Sequence, residues 1–321
     1  MENARSAAEL SKEYGDSMSR RRFIKGMCLG IFPILLSGFS ERVDNQAIKE
    51  GKMRYRAAGN RGAFYPGSCS SIKDMIEKFN NLLDRSITDR SILDVKPRAV
   101  IAPHAGYIYS GFTANIAHRI LANYRSKRTV VIGPSHHVFI EGVSGSFMRR
   151  YETPCGDLEI DEPYLQELKD RFNLSFVEEA HRVEHSTETQ MPFIEHYSPD
   201  SSIIELIYGR VGYIELAKLI GEILNDPDNT VVISSDLSHF HTLERAEHLD
   251  GICLSGVAEK SIETLDSGCE ACGITGIKAI VKIAGERSWK SRVLDYRTSA
   301  DASGDRNRVV GYMSALFGDV I

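Results

Sequence analysis

Four apolar runs limit what this chain can fold into: "RAVIAPH" (98–104), "RTVVIGPSHH" (128–137), "SIIELIYG" (202–209) and "NTVVISSDLSH" (229–239). A strand with one wet face alternates apolar and polar residues. These runs are nearly continuous, so both of their faces must be covered, as in a parallel sheet with helices on both sides. Segments of helical period lie between and after them: "CSSIKDMIEKFNNLLDR", "SGFTANIAHRILANY", "IELAKLIGEILND", "GICLSGVAEKSIETL" and "ITGIKAIVKIAGE". The first sets Ile72, Met75, Ile76, Phe79 and Leu82 on one face, with Ser70 or Ser71 as its cap. "SRVLDYRTS" and "NRVVGYMSALFG" complete the sheet. The expected class is α/β, a three-layer α/β/α sandwich around a largely parallel mixed sheet. No internal repeat and no second linker interrupts it, so residues 57–321 read as one domain behind a polar linker at 41–56.

The first forty residues read as a targeting segment outside that domain. "SRRRFIKG" (19–26) followed by "MCLGIFPILLSGF" has the pattern of a twin-arginine export signal. Its apolar stretch is short for a membrane span, and Gly38-Phe39-Ser40 supplies residues for a cut after Ser40. The expected location is periplasmic, or anchored and facing the periplasm, with the twin-arginine translocase as a partner during export. Cys28 lies too early in the apolar stretch for a lipoprotein cysteine. The forty residues hold six Lys/Arg and four Asp/Glu, so their removal takes the net charge from −5 to −7. With no long basic block in the remainder, nucleic acid is not expected as a partner.

Three of the apolar runs end alike, at His104, at His136 and at Asp236 with His239. Ligands of α/β sheets bind beyond the carboxyl ends of the strands, and imidazole suits zinc, copper and iron. His137 must point away from its neighbour His136, because side chains alternate along extended backbone. His118 falls in an apolar helix and reads as structural, while His196 and His248 read as exposed helical residues. "VEHSTETQMPF" (183–193) holds Glu184, His185, Glu188 and Gln190. Taken as a first helical turn, it would put His185 and Glu188 on one face for acid–base work or for orienting a metal ligand. The plainer reading is a polar helix start capped by Ser186. Five cysteines follow residue 40: Cys69, Cys155, Cys253, Cys269 and Cys272. The odd count leaves one thiol free or bound to something else. Cys269-Glu-Ala-Cys272 reads plainly as a small disulfide, with a redox pair as its rival. Cys272, placed before Gly273 and a helix, also reads as a nucleophile or metal ligand, because a helix start favours the thiolate.

"APHAGYIYSG", "VIGPSHH", "TPCGDLEID", "EHSTETQMPF", "SSDLSH" and "ACGITG" resemble, in this order, the signature segments of the Memo family, called AmmeMemoRadiSam system protein B in prokaryotes. The resemblance runs from about Arg56 to Phe317. It implies a fold like that of class III extradiol dioxygenases and a pocket lined by His104, His136, His239 and Cys272. In that reading His104, His136 and Cys272 are metal ligands, and His239, Asp236 and His185 are acid–base groups at the pocket. Cys269 is an addition to the family pattern. The implied metal is iron or copper, with zinc as a further fit, and the implied activity is metal-dependent redox chemistry on an unknown small molecule or peptide. Ring cleavage is not implied, because a cysteine stands where the dioxygenases have a carboxylate. Two other functions compete. One is a binding protein that holds a metal, peptide or small ligand without turnover. The other is a zinc hydrolase with His239 or Asp236 as base.

Overall fold

The computed structural model describes residues 55–87 and 89–319. The twin-arginine segment, Cys28 and most of the linker lie outside the described residues. The strands in chain order are β1 (Tyr55–Arg56), β2 (Ala99–Ala102), β3 (Arg128–Pro134), β4 (Val143–Gly145), β5 (Arg150–Tyr151), β6 (Leu158–Glu159), β7 (Ser202–Tyr208), β8 (Asn229–Ser234), β9 (His239–His241), β10 (Lys290–Thr298) and β11 (Val309–Gly318). The main sheet runs β10-β11-β2-β8-β3-β7-β4, with β9 added against β11, and β1, β5 and β6 form a small second sheet. Pairs β2–β8, β8–β3 and β3–β7 are parallel. The outer pairs β10–β11, β11–β2 and β4–β7 are antiparallel. The sheet is therefore mixed, with a parallel centre made of the four apolar runs.

Both faces of that centre are covered. Ile101, Val130, Ile132 and Ile233 pack into a core with the helices Tyr213–Ile223, Leu243–Glu259 and Ile274–Glu286. Val100, Val131 and Val232, the alternate residues of the same strands, pack against the helices Cys69–Ser86, Tyr107–Leu121 and Met191–Tyr197. This is the expected three-layer α/β/α sandwich. No helix among the described residues is long and apolar enough to cross a membrane.

Some local expectations change. The helix Cys69–Ser86 is capped by Ser68, whose side chain accepts from the Ser71 N–H, and it buries Leu83 where Leu82 was expected. The fold takes in Arg56, a linker residue by sequence, which is only 1% exposed. The sheet register then builds the site. Ala102 pairs with Ser234 and Ile132 with Ile233, so the chain leaves β2, β8 and β3 side by side, two residues short of His104, Asp236 and His136.

Candidate metal centre

His104 and His136 meet beyond the ends of β2 and β3, and the third donor at that point is Cys272, just before the helix Ile274–Glu286. One ligand atom from each of the three lies within 4.8 Å of the other two. His104 Nε2 stands 3.3 Å from Cys272 Sγ. Gly273 lets the thiol come this close: a Cβ there would lie 2.6 Å from Ser235 Cβ and 2.9 Å from the Ser234 carbonyl. Cys272 Sγ also accepts the Asp236 backbone N–H at 3.3 Å.

Each donor has an outer partner. His136 Nδ1 lies 2.8 Å from Glu184 Oε1, and the His136 backbone N–H donates to Oε2 at 2.6 Å. Glu184 Oε1 also accepts the backbone N–H groups of His185 (3.1 Å) and Ser186 (2.9 Å). A carboxylate accepts only, so His136 Nδ1 donates and its Nε2 is left for the pocket. The atoms of His136, Glu184 and His185 also lie close enough to hold an ion. Glu184 Oε1 accepts three hydrogen bonds, so in this second group Glu184 also serves to hold His136 and the segment of His185 and Ser186.

The titration states follow from these contacts. Burial would raise the Cys272 thiol, but His104 and His136 outweigh burial and the nearby Asp236 charge and bring it down to about 6. Burial would lower His136, but Cys272 and the Glu184 carboxylate outweigh it and raise His136 to about 10. Without a metal, the two form a thiolate–imidazolium pair. Burial would likewise raise Glu184, yet the His136 hydrogen bond and charge hold it well below the usual carboxylate range. Burial, then the neighbouring His104, pushes His185 well below the usual histidine range, so its ring is neutral.

The remaining candidates sit around the three donors. Asp236 is buried. Its Oδ1 accepts the backbone N–H groups of His104 (2.7 Å) and Ala105 (3.3 Å), and its Oδ2 is 4.0 Å from His104 Nε2. Burial raises its pKa. His185 packs its ring 4.7 Å from His136, 5.4 Å from His104 and 4.6 Å from Phe64. The expected helical face with Glu188 is not formed. His185 lies between the helix Glu178–Val183 and the 3-10 turn Glu188–Gln190, and Glu188 turns away to Arg56 (3.0 Å) and the Tyr65 hydroxyl (2.7 Å). Ser186 caps no helix and donates to the Pro134 carbonyl at 2.8 Å. His239 is not one of the grouped donors. It lines an open pocket of about 310 Å³ with Cys272, Cys269 and Glu270, and its Nδ1 lies 2.8 Å from the Leu237 carbonyl, which leaves Nε2 bare. His137 is exposed, with its ring 5.5 Å from His185. His118 is buried and stacks on Phe193.

The cysteine pairing corrects the C-x-x-C reading. Cys269 is bonded to Cys253, 16 residues earlier, and Cys69 to Cys155. Cys272 is the free cysteine among the described residues. The spacing of two cysteines by two residues hid the partner on the neighbouring helix Leu243–Glu259. Sequence reasoning also missed Arg56, which donates to the Glu184 carbonyl at 2.9 Å. In the same buried network Glu205 accepts from Thr187 Oγ1 at 2.6 Å and meets His181 Nδ1 at 2.9 Å. Together they fix the segment that carries Glu184 and His185. Gly133 lets this segment lie against β3, since a Cβ there would meet Ser186 Oγ at 2.5 Å.

Residues 56–316 match the family model described as "Memo-like protein". A MEMO1 family protein of Aquifex aeolicus (strain VF5) is 33% identical over 278 residues, covering 83% of this chain and all of that protein. MEMO1 family proteins of Sulfurisphaera tokodaii and Methanobrevibacter smithii are each 31% identical over 280 residues, covering 80% of this chain and 97% of theirs. The chain belongs to the Memo family.

Proposed function

Starting from Memo-family membership and this geometry, we propose that the chain binds one iron or copper ion through His104, His136 and Cys272 and acts as a metal-dependent redox enzyme on a small molecule. The observation that carries the reading is the convergence of three donor atoms within 4.8 Å of one another. Two imidazoles and a thiolate suit copper, iron or zinc and do not suit magnesium or calcium. When bound, the ion would supply electron transfer and a coordination position open to a small ligand.

The chain's own residues would do the rest. Glu184 holds His136 with Nε2 forward, and the Asp236 N–H steadies the thiolate. His239, with its bare Nε2 at the open pocket, would accept a proton from an incoming molecule. Burial raises the pKa of Asp236, and its carboxyl, with Oδ2 4.0 Å from His104 Nε2, would serve as an acid–base group beside His104. Neutral His185, its ring tilted against Phe64, would close the far wall against water and relay a proton.

One observation favours the second reading, binding of a metal or ligand without turnover. No carboxylate is among the three donors, and Asp236 Oδ1 is held by two backbone N–H groups. The two-histidine, one-carboxylate set of the oxygen-activating iron enzymes is therefore absent from the donors. We also infer export by the twin-arginine route to an oxidising compartment. The sequence of residues 19–39 and the two disulfides, which persist in oxidising surroundings, support that inference.

Elemental analysis of the anaerobically purified full chain tests the reading, with His136→Ala and Cys272→Ala beside it. One equivalent of iron or copper, lost in both variants, is expected. Metal content unchanged in both would overturn the ligand assignment. Dioxygen consumption with reductant separates the enzyme from the binding protein.

A further inference from the structure

The pocket face of His104 is controlled from behind. Its Nδ1 lies 2.9 Å from the Ser234 hydroxyl. Ser234 Oγ lies 2.5 Å from the Ser186 carbonyl and 2.9 Å from Gln190 Nε2. Gln190 Nε2 also lies 3.0 Å from the Pro103 carbonyl, and Gln190 Oε1 lies 2.7 Å from His118 Nε2. Ser234, Gln190 and His118 are all buried.

The polarity of this chain has one solution. The Pro103 carbonyl only accepts, so the Gln190 amide nitrogen faces it, and its second hydrogen goes to Ser234. The Gln190 oxygen must then accept, so His118 Nε2 donates to it. The single Ser234 hydrogen goes to the Ser186 carbonyl, which also only accepts. Ser234 already receives the Gln190 hydrogen, and its remaining lone pair can only accept from His104. Nδ1 of His104 therefore carries a hydrogen, and Nε2, 3.3 Å from Cys272 Sγ, is the nitrogen on the pocket side that a metal would take in place of any hydrogen shared with the thiolate.

We propose that Ser234, whose hydrogen is taken by the Ser186 carbonyl, fixes the His104 tautomer, and that Gln190, oriented by His118, is the positioning residue that holds Ser234 in place and so sets the competence of His104 as a metal ligand. The metal role of His104 rests on the function proposed above, but the tautomer assignment stands without a metal. Outer partners of this kind commonly change metal affinity ~10- to 100-fold. Reversing the polarity at Gln190 has a defined consequence. In Gln190→Glu a carboxylate would compete with the Ser186 carbonyl for the Ser234 hydrogen and could not donate to the Pro103 carbonyl, so the Ser234 oxygen that receives the His104 Nδ1 hydrogen would be displaced.

The test is histidine-selective 15N NMR of the full chain, metal-free and with zinc as a diamagnetic probe. In the wild type, His104 should show a protonated Nδ1 in both states, with Nε2 carrying the zinc-induced shift. In Gln190→Glu the Nδ1 signal should move, and zinc affinity should fall about tenfold or more. His118→Phe, which removes only the outermost donor, should give a smaller change in the same direction. A wild-type His104 with hydrogen on Nε2 and a bare Nδ1 would overturn the proposal with no variant needed. So would a folded Gln190→Glu chain with wild-type nitrogen shifts and unchanged zinc affinity. A wild type that keeps the Nδ1–H tautomer yet binds no metal would sink the metal reading and leave the tautomer assignment intact.

Discussion

Glu184→Gln tests whether one buried carboxylate organises the site. Glu184 is 0% exposed and accepts four hydrogen bonds, two from His136 and one each from the backbone of His185 and Ser186. A glutamine has one acceptor oxygen. Its least costly placement keeps the oxygen at the Oε1 position, where three donors converge, and turns the amide NH2 toward the His136 N–H. The lost charge-assisted bond costs about 1.5–3 kcal/mol, and the stranded N–H about 1–3 kcal/mol. A total of about 2.5–6 kcal/mol follows, which at about 2–4 °C per kcal/mol for a domain of this size lowers the melting temperature by roughly 5–24 °C. The pH dependence has a definite sign. The folded-state pKa of Glu184 is depressed, so its contribution is present above the unfolded value of about 4.3 and is lost as pH falls below it. Thermal melts of metal-free wild type and variant should therefore differ most near neutral pH and converge in acid. Metal affinity should fall ~10- to 100-fold, as expected when a ligating histidine loses its carboxylate partner. Equal melting temperatures at pH 7, or a gap that stays constant into acid, would refute the reasoning.

The pairing of Cys272 with His136 predicts how metal binding depends on pH. With the thiol at about 6 and the imidazole at about 10, a metal entering between these values displaces one proton, from His136. Zinc affinity should then rise about tenfold per pH unit from 7 to 9 and more steeply below 6, and titration calorimetry in buffers of different ionisation enthalpy should count one proton released. A pH-independent affinity between 7 and 9 would count against the ion pair. Removing the Cys253–Cys269 cross-link by paired alanines should cost about 3 kcal/mol for its short loop, and it should also weaken metal binding, because Cys269 anchors the segment leading to Cys272. Removing Cys69–Cys155 should cost about 4–5 kcal/mol for its longer loop and leave metal affinity unchanged. Urea unfolding and zinc titration of both double variants check this, and equal losses of affinity in the two would refute the tether.

The fold was legible because its strongest signal is local. A nearly continuous apolar run needs cover on both faces wherever it sits, so β2, β3, β7 and β8 could be read singly and the layers inferred. The helix edges were not legible to the residue: Ser68, Ser70 and Ser71 are all competent caps, and it is Ser68 whose side chain accepts the Ser71 N–H. At the site, His104 and His136 showed in the sequence because parallel strands in register end together. The partners of those side chains are set by contacts between distant segments, which no local pattern encodes. Cys269 has Cys272 three residues away and bonds instead to Cys253, because the helix Leu243–Glu259 packs beside it. His185 and Glu188 have helical spacing without a helix, because Glu188 is drawn to Arg56 and Tyr65 and Glu184 is held by His136. Arg56 reads as linker until Glu188 and Glu205, more than 130 residues later, are seen to surround it. The same physics explains both the hits and the misses. The candidate donors His104 and His136 collect where strands end, a place that sequence period reveals. The groups that aim those donors must be buried to hold their hydrogen-bond polarity, and buried polar groups find partners through the tertiary fold.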